Sequence, residues 1–461
     1  MPSVPLHAGS CARLAPVADG HSHGAEVPGR EVESQSVRRV LIGATVLIGV
    51  LALVGLALWW PGGDPSIDRE ALGYSDRVEA TVVASEIGPC PSAPPGDPSV
   101  TGVEELECVV VSARLTSGPG AGDTAVLEAP TDGGTAVSRL APGDEIVLND
   151  SGPDVPDEVR YSFADMQRSL PLGVLAAVFA LVVVAMGRLK GLLALAGIAL
   201  SLGVLLVFIF PALLEGAAPV GVALTGATVI AFCTLYLAHG VNDRTTVAFL
   251  GTMASLALTA ALAIGFSRAA QLSGLASEES LILSAFAPDL DFRGLLLAAV
   301  IIGTLGVLDD VTITQVSAVW ELQRADPSVT VRQLYGASVR IGRDHIASAV
   351  NTLVLAYSAA ALPLLLIFTQ SGLAFGQVLT TETVAVEIVQ TLVGSIGLVA
   401  SVPLTTALAC LVITRSTARP DRDAQGRDAP PTGPWQEWPP PGPQRRRTEQ
   451  PSDAFWTNDP W

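Results

Sequence analysis

The chain has 461 residues, a formal net charge of −18 and a composition that is 49% hydrophobic and only 15% charged, with a mean hydropathy of +0.49. Its apolar residues, mostly Leu, Ala and Val, come in long runs, whereas a soluble core shows shorter runs broken by polar faces. Nothing in it provides the basic stripe of a nucleic-acid binder, so nucleic acid is not expected among its partners.

Residues 1–38 read as a disordered N-terminal segment. They hold His21-Ser22-His23 with His7 upstream, a weak pattern for a loosely bound transition metal. No zinc spacing or phosphate loop occurs anywhere in the chain, so neither a metal nor a cofactor is expected. Residues 39–60 form a first transmembrane anchor, preceded by Arg38 and Arg39 and closed by Trp59-Trp60. Its apolar run is too long for a signal peptide, and no small-residue cleavage site follows.

Residues 61–168 carry 20 Asp and Glu against 6 Arg, a balance of −14 that accounts for most of the net charge. Segments 77–84, 106–115, 124–127 and 144–148 are rich in Val, Ile and Thr, with Pro/Gly clusters at 89–98 and 117–122 between them. This predicts a small extracytoplasmic β-barrel or sandwich with a solvated acidic surface. A carbohydrate, cation or protein partner for that surface is the alternative. Cys90 and Cys108 fall in this domain, where an oxidising compartment permits a disulfide, and are the candidate pair.

A membrane domain over 169–414 follows, with seven further spans predicted at 170–186, 192–213, 220–237, 246–266, 295–315, 347–368 and 384–414. Each approaches or exceeds the roughly 20 residues that cross a hydrocarbon core of about 30 Å. Arg38/Arg39, Arg188/Lys190, Arg244, the 324–343 stretch and Arg415/Arg419/Arg422 fall on alternate connections, while 215–219 and 370–383 carry no Lys or Arg. By the positive-inside rule this predicts eight spans with both termini cytoplasmic. The connection before the 295–315 span runs against the rule with Arg268 and Arg293, outnumbered there by Glu278, Glu279, Asp289 and Asp291. Residues 415–461, Pro-rich with Arg445-Arg446-Arg447, read as a disordered cytoplasmic tail.

An acidic pair, Asp309-Asp310, interrupts the sixth span. Carboxylates are expensive in hydrocarbon and usually face a protein interior or a water-filled cavity. On a continuous helix, Gly303, Gly306, Asp310, Thr314 and Ser317 make one stripe of small and polar groups. The small residues admit a neighbouring helix, and the oxygens offer ligands to a hard cation or a path for a proton. Two alternatives stand beside this: a helix broken near Leu308 with an aspartate capping the next segment, or a span that ends early and leaves the pair in water. A second stripe, Asp344, Ser348, Asn351, Leu355 and Ser358, opens the seventh span from the same side, so the two can converge in one cavity. In the eighth span Glu387 lies near the outer end, Gly394 and Gly397 offer packing or hinge positions, and Pro403 offers a break, with simple tilting as the alternative. No nucleophile–base arrangement appears, so an enzyme is not expected.

Several stretches together resemble the YibE/F membrane proteins of bacteria. They are Gly187-Arg188-Leu189-Lys190-Gly191-Leu192, then Ala238-His239-Gly240-Val241-Asn242 before Ala248-Phe249-Leu250-Gly251-Thr252, and the core stretch from Ile301 to Asp310. Ile341-Gly342-Arg343-Asp344-His345 with Asn351-Thr352-Leu353, and Gly394-Ser395-Ile396-Gly397 with Val402-Pro403-Leu404-Thr405, complete the set. The resemblance implies a polytopic protein of the bacterial cell membrane, and it brings no substrate or mechanism. One acid of the Asp309-Asp310 pair looks like the family's recurring aspartate.

The expectation is an all-α bundle of about eight transmembrane helices, with a β-rich domain between the first and second. It acts as a permease for a small solute or cation along Asp309, Asp310, Thr314, Asp344 and Asn351. The alternative is a non-transporting scaffold or receptor whose exported acidic domain binds a protein partner.

Overall fold

The computed structural model describes residues 35–63, 76–89, 107–131, 134–153, 155–156, 160–370 and 372–417. The two predicted tails, apart from short stretches beside the first and last helices, lie outside the described residues, as do the His7, His21 and His23 cluster and Cys90. Cys108 is disulfide-bonded.

The first helix, α1 (Gln35–Trp59), starts inside the segment read as an N-terminal tail. The sheet domain follows, with β1 (Asp76–Pro89), β2 (Glu107–Leu115), β3 (Thr124–Pro130), β4 (Glu145–Asp150) and β5 (Tyr161–Met166). Among the described residues these form one antiparallel sheet in the order β3-β2-β1-β4-β5, a half-barrel rather than a two-sheet sandwich. Its end strands β3 and β5 touch, so the sheet curls toward closure. Alternate residues such as Val78, Ala80 and Val82 on β1, Val111 and Ala113 on β2, and Ile146 and Leu148 on β4 fill its core. β5, with Ser162 and Asp165 in its six residues, lacks the Val/Ile/Thr signal that predicted the other four.

One ion pair closes the β4–β5 end. Arg160 donates from Nε to Asp150 Oδ1 at 2.7 Å and from Nη2 to Oδ2 at 2.9 Å, and Gly152 N–H adds a third hydrogen bond to Oδ1. Asp150 is 6% exposed. The Arg160 hydrogen bond, against the cost of burial, holds its carboxyl below the ordinary 3.8. A depressed folded pKa means that the stabilisation is complete above the unfolded value and is lost as pH falls through the lower folded one. Hydrogen exchange of β4 and β5, corrected for intrinsic rate, is therefore expected to be unchanged down to about that ordinary value and to accelerate below it. Arg160→Ala at neutral pH strands the buried carboxylate at a cost of about 1–3 kcal/mol and produces the same acceleration.

The membrane part comprises α2 (Ser169–Gly187), α3 (Leu189–Val204), a π turn at Leu205–Ile209, α4 (Phe210–Leu214), α5 (Pro219–His239) and α6 (Asp243–Ala269). It continues with α7 (Glu278–Phe286), α8 (Phe292–Ala325), α9 (Val331–Ala360), α10 (Leu362–Gln370), α11 (Phe375–Leu379) and α12 (Glu382–Thr417). Seven helices among the described residues are long and apolar enough to cross a membrane, and the pair α9–α10, bent by 61°, makes an eighth if counted as one span. The bend follows from Pro363, which has no N–H to return to the Ala359 carbonyl. α12, by contrast, stays helical through Pro403.

Helix starts are fixed by caps. Asn242 accepts the Thr245 N–H at 2.9 Å, Asp291 accepts the Gly294 N–H at 2.9 Å, and Thr330 with Gln333 forms a reciprocal capping box. Between α5 and α6 the chain turns at Gly240 with φ +76°, a conformation open to glycine at no steric cost. The core is built by α5, α6, α8 and α12, with Val222, Ala227, Phe249, Leu305 and Leu308 among its buried residues. α2 buries no residue, and α9 buries only Leu334, Ser338 and Gly342 near its start. Glu215, after α4, accepts the Gly62 and Gly63 N–H groups at 3.2 and 3.0 Å and ties the end of α1 to the same face.

Candidate functional site

Asp309 is the eighteenth of the 34 residues of α8, so the acidic pair sits halfway along an unbroken helix. Neither a helix break at Leu308 nor an early end to the span is present. The two carboxylates point different ways: Asp309 turns into the bundle and Asp310 is exposed. Asp309 Oδ2 is 3.1 Å from Thr234 Oγ1 of α5, the Thr252 hydroxyl of α6 also faces the carboxyl, and Asp309 Oδ1 has no hydrogen bond of good geometry among the described residues. One turn on, Thr312 Oγ1 hydrogen-bonds Thr252 Oγ1 of α6 at 2.7 Å and lies 3.2 Å from the Asp309 carbonyl. Asp309, Thr234, Thr252 and Thr312 thus gather oxygens from three helices inside the bundle.

Thr234 has one hydroxyl hydrogen and three acceptors: Ile230 O at 2.8 Å, Ala231 O at 3.4 Å and Asp309 Oδ2. When that hydrogen serves Ile230, the Asp309–Thr234 contact closes only through a proton carried by the carboxyl. No described Arg, Lys or His forms an ion pair with Asp309; the described pairs Arg244–Glu321 and Arg324–Glu321 lie at the far end of α8. A carboxyl held this way calls for a proton or a bound cation.

Two further polar contacts set the frame. Gln315 Nε2 donates to Ser338 O at 2.9 Å and to Thr406 Oγ1 at 2.7 Å, joining α8, α9 and α12. Gly342 permits this approach, because a side chain there would meet Val402 and Gln315. Along α6 and α12, Ser255, Ser395 and Thr405 bury hydroxyls with no partner among the described residues.

The remaining residues singled out by sequence divide by side. Asp310, Thr314, Asp344, Ser348 and Asn351 are all exposed on the open face of α8 and α9 and make no mutual hydrogen bond. Of these, Asn351 lies at about the height of Asp309. The Tyr357 hydroxyl lies 3.3 Å from where a Cβ on Gly303 would stand. Six residues on along each antiparallel helix, about 9 Å, come Asn351 and Asp309. Gly306 has open space around it, whereas a side chain at Gly397 would overlap Thr259 and one at Gly394 would make ordinary contact with Thr304 and Leu353. Sequence reasoning did not single out Thr234, Thr252, Thr312 or Gln315. The three- and four-residue spacing that joins Asp309 to Thr312 and to buried Leu305 was the available signal.

Long apolar helices packed around an inward-facing carboxyl define a polytopic membrane protein with a curled β-sheet domain after its first helix. The YibE/F-like protein family matches residues 175–415, more than half of the chain and nearly all of the membrane part. The chain belongs to that family, and the sheet domain and α1 lie outside the matched region. No curated protein and no solved structure matches it.

Proposed function

We propose that this protein is a permease of the bacterial cell membrane for a small solute or cation, with Asp309 as the group that takes up the coupling proton or monovalent cation. One observation carries the reading: a carboxyl with no counter-charge, turned into the bundle midway along α8 beside threonine hydroxyls from two other helices. A carboxylate with no counter-charge is costly there, and its retention at that depth is the mark of an ion or proton relay. The buried hydroxyls of Ser255, Ser395 and Thr405 support a hydrophilic route along α6 and α12. The distribution of Arg supports cytoplasmic termini and an exported sheet domain, and the lipid bilayer is the surrounding partner.

The test is reconstitution of the full chain in proteoliposomes with an imposed proton or sodium gradient and a potassium diffusion potential, read by internal pH and sodium dyes. Protein-dependent ion flux supports the reading. Flux no higher than in empty vesicles under both gradients counts against it.

A further inference from the structure

We propose that the cavity between α7, α8 and α12 is a binding site for a small organic monovalent cation, with Glu387 as its counter-ion. The cavity has a volume of about 240 Å³ and opens on the face where α8 and α12 begin, the face that also carries the β-sheet domain by chain connection. Its apolar wall includes Phe292, Leu295 and Leu296, and its polar groups include Glu387, Gln390 and Ser280. Glu387 and Gln390 are half-buried and make no hydrogen bond or ion pair among the described residues.

The mouth is built rather than incidental. Glu382 accepts the N–H groups of Ser273 and Gly274, the Thr383 hydroxyl donates to Ala276 O at 3.2 Å, and Arg293 Nε donates to Leu272 O at 2.8 Å. These bonds pin the loop before α7 against α8 and α12. Arg293 and Glu382 lie within electrostatic reach of each other at this mouth, and Glu387 is the one carboxylate among the residues lining the cavity.

The chemistry of the lining selects the ligand. A single carboxylate brings little negative charge for calcium, the hydroxyls of Ser277, Ser280 and Thr383 are already engaged in hydrogen bonds, and among the described residues no group of three or more His, Cys, Asp or Glu is placed to hold a metal. An aromatic ring and aliphatic walls around a single negative charge suit an alkylammonium, which buries carbon and presents N–H donors. The volume lies below the ~300 Å³ at which sites for drug-sized ligands begin, which limits the ligand to a few heavy atoms. The Tyr357 hydroxyl, within electrostatic reach of Glu387, lies beside Gly303 of α8. The proposal deepens the permease reading by naming what is taken up, and it rests on that reading only for the onward step to Asp309.

Binding of radiolabelled methylammonium to the purified full-length protein in nanodiscs tests it. Saturable binding is expected, competed by ethylammonium and not by sodium or acetate. Glu387→Gln should weaken it about tenfold or more, as loss of a partly desolvated charge partner does. Glu387→Asp should recover part of the affinity, Asp310→Asn on the open face of α8 should leave it intact, and melting temperatures should show that all three variants fold. No saturable binding in the wild type, equal binding by Glu387→Gln, or equal competition by acetate overturns the assignment. If methylammonium binds through Glu387 while neither it nor a coupling ion crosses proteoliposomes, the site stands and the permease reading falls.

Discussion

Asp309→Asn is expected to reduce ion-coupled flux by roughly two orders of magnitude, the scale of losing one desolvated charge partner, whereas Asp310→Asn leaves it near the wild-type rate. The two side chains are adjacent in sequence and differ only in where the helix turns them. Asp309 meets Thr234 and Thr252 inside the bundle with no counter-charge, while Asp310 lies on the open face. Asparagine keeps the shape and a hydrogen bond to Thr234 but carries neither a titrating proton nor a charge for a cation. The companion variant Asp309→Leu separates function from architecture. A carboxyl that served only to hold the bundle would cost stability when replaced. One retained for ion handling gives a protein of equal or higher melting temperature with no flux, because burying it was never favourable to folding. Normal flux in Asp309→Asn, or loss confined to Asp310→Asn, sinks the proposed role.

The spans, the sheet domain between the first and second of them, and the acidic pair were legible because each leaves a local signal. Apolar length marks a span, β-branched segments between Pro/Gly clusters mark strands, and charge in an apolar run marks a site. What was not legible was which aspartate faces inward. In a soluble helix the apolar face is the buried one. In a membrane helix both faces are apolar, so a stripe of small and polar groups marks a special face without saying whether it lies inside or outside. Gly303, Gly306, Asp310 and Thr314 form such a stripe, and it is exposed in the described chain. Threonines gave no signal either, since Thr234, Thr252 and Thr312 hydrogen-bond within or between helices and pass as core residues until their partners are seen. The bend at Ala361 was hidden for a different reason: Pro363 lies within a run apolar enough to read as one continuous span.

Gly397→Ala is expected to destabilise the bundle by about 1–3 kcal/mol, the usual cost of forcing extra volume into a packed contact, while Gly394→Ala, one turn away, is neutral or slightly stabilising. A Cβ on Gly397 would overlap the hydroxyl and Cβ of Thr259, so α6 and α12 would have to separate there. At Gly394 the added atom would stand 3.4 Å from Thr304 Oγ1 and 3.8 Å from Leu353 Cδ2, ordinary contact distances. Alanine there also gains up to about 1 kcal/mol of helix propensity. Thr259 supplies the means to show that the cost is this contact. Its hydroxyl donates only to the Ser255 carbonyl one turn back in its own helix, at 2.9 Å, so Thr259→Ala alone is mild and makes room for the new methyl group. Thr259→Ala combined with Gly397→Ala should therefore recover most of the stability, with a coupling of about 1 kcal/mol or more in a double-mutant cycle of thermal unfolding in detergent. Strictly additive effects would mean that the helices do not meet at these residues. Because Thr252 of α6 also bonds Thr312 beside Asp309, the same separation of α6 should lower ion-coupled flux in Gly397→Ala and restore it in the double variant, which links the glycine contact to the carboxyl it helps to enclose.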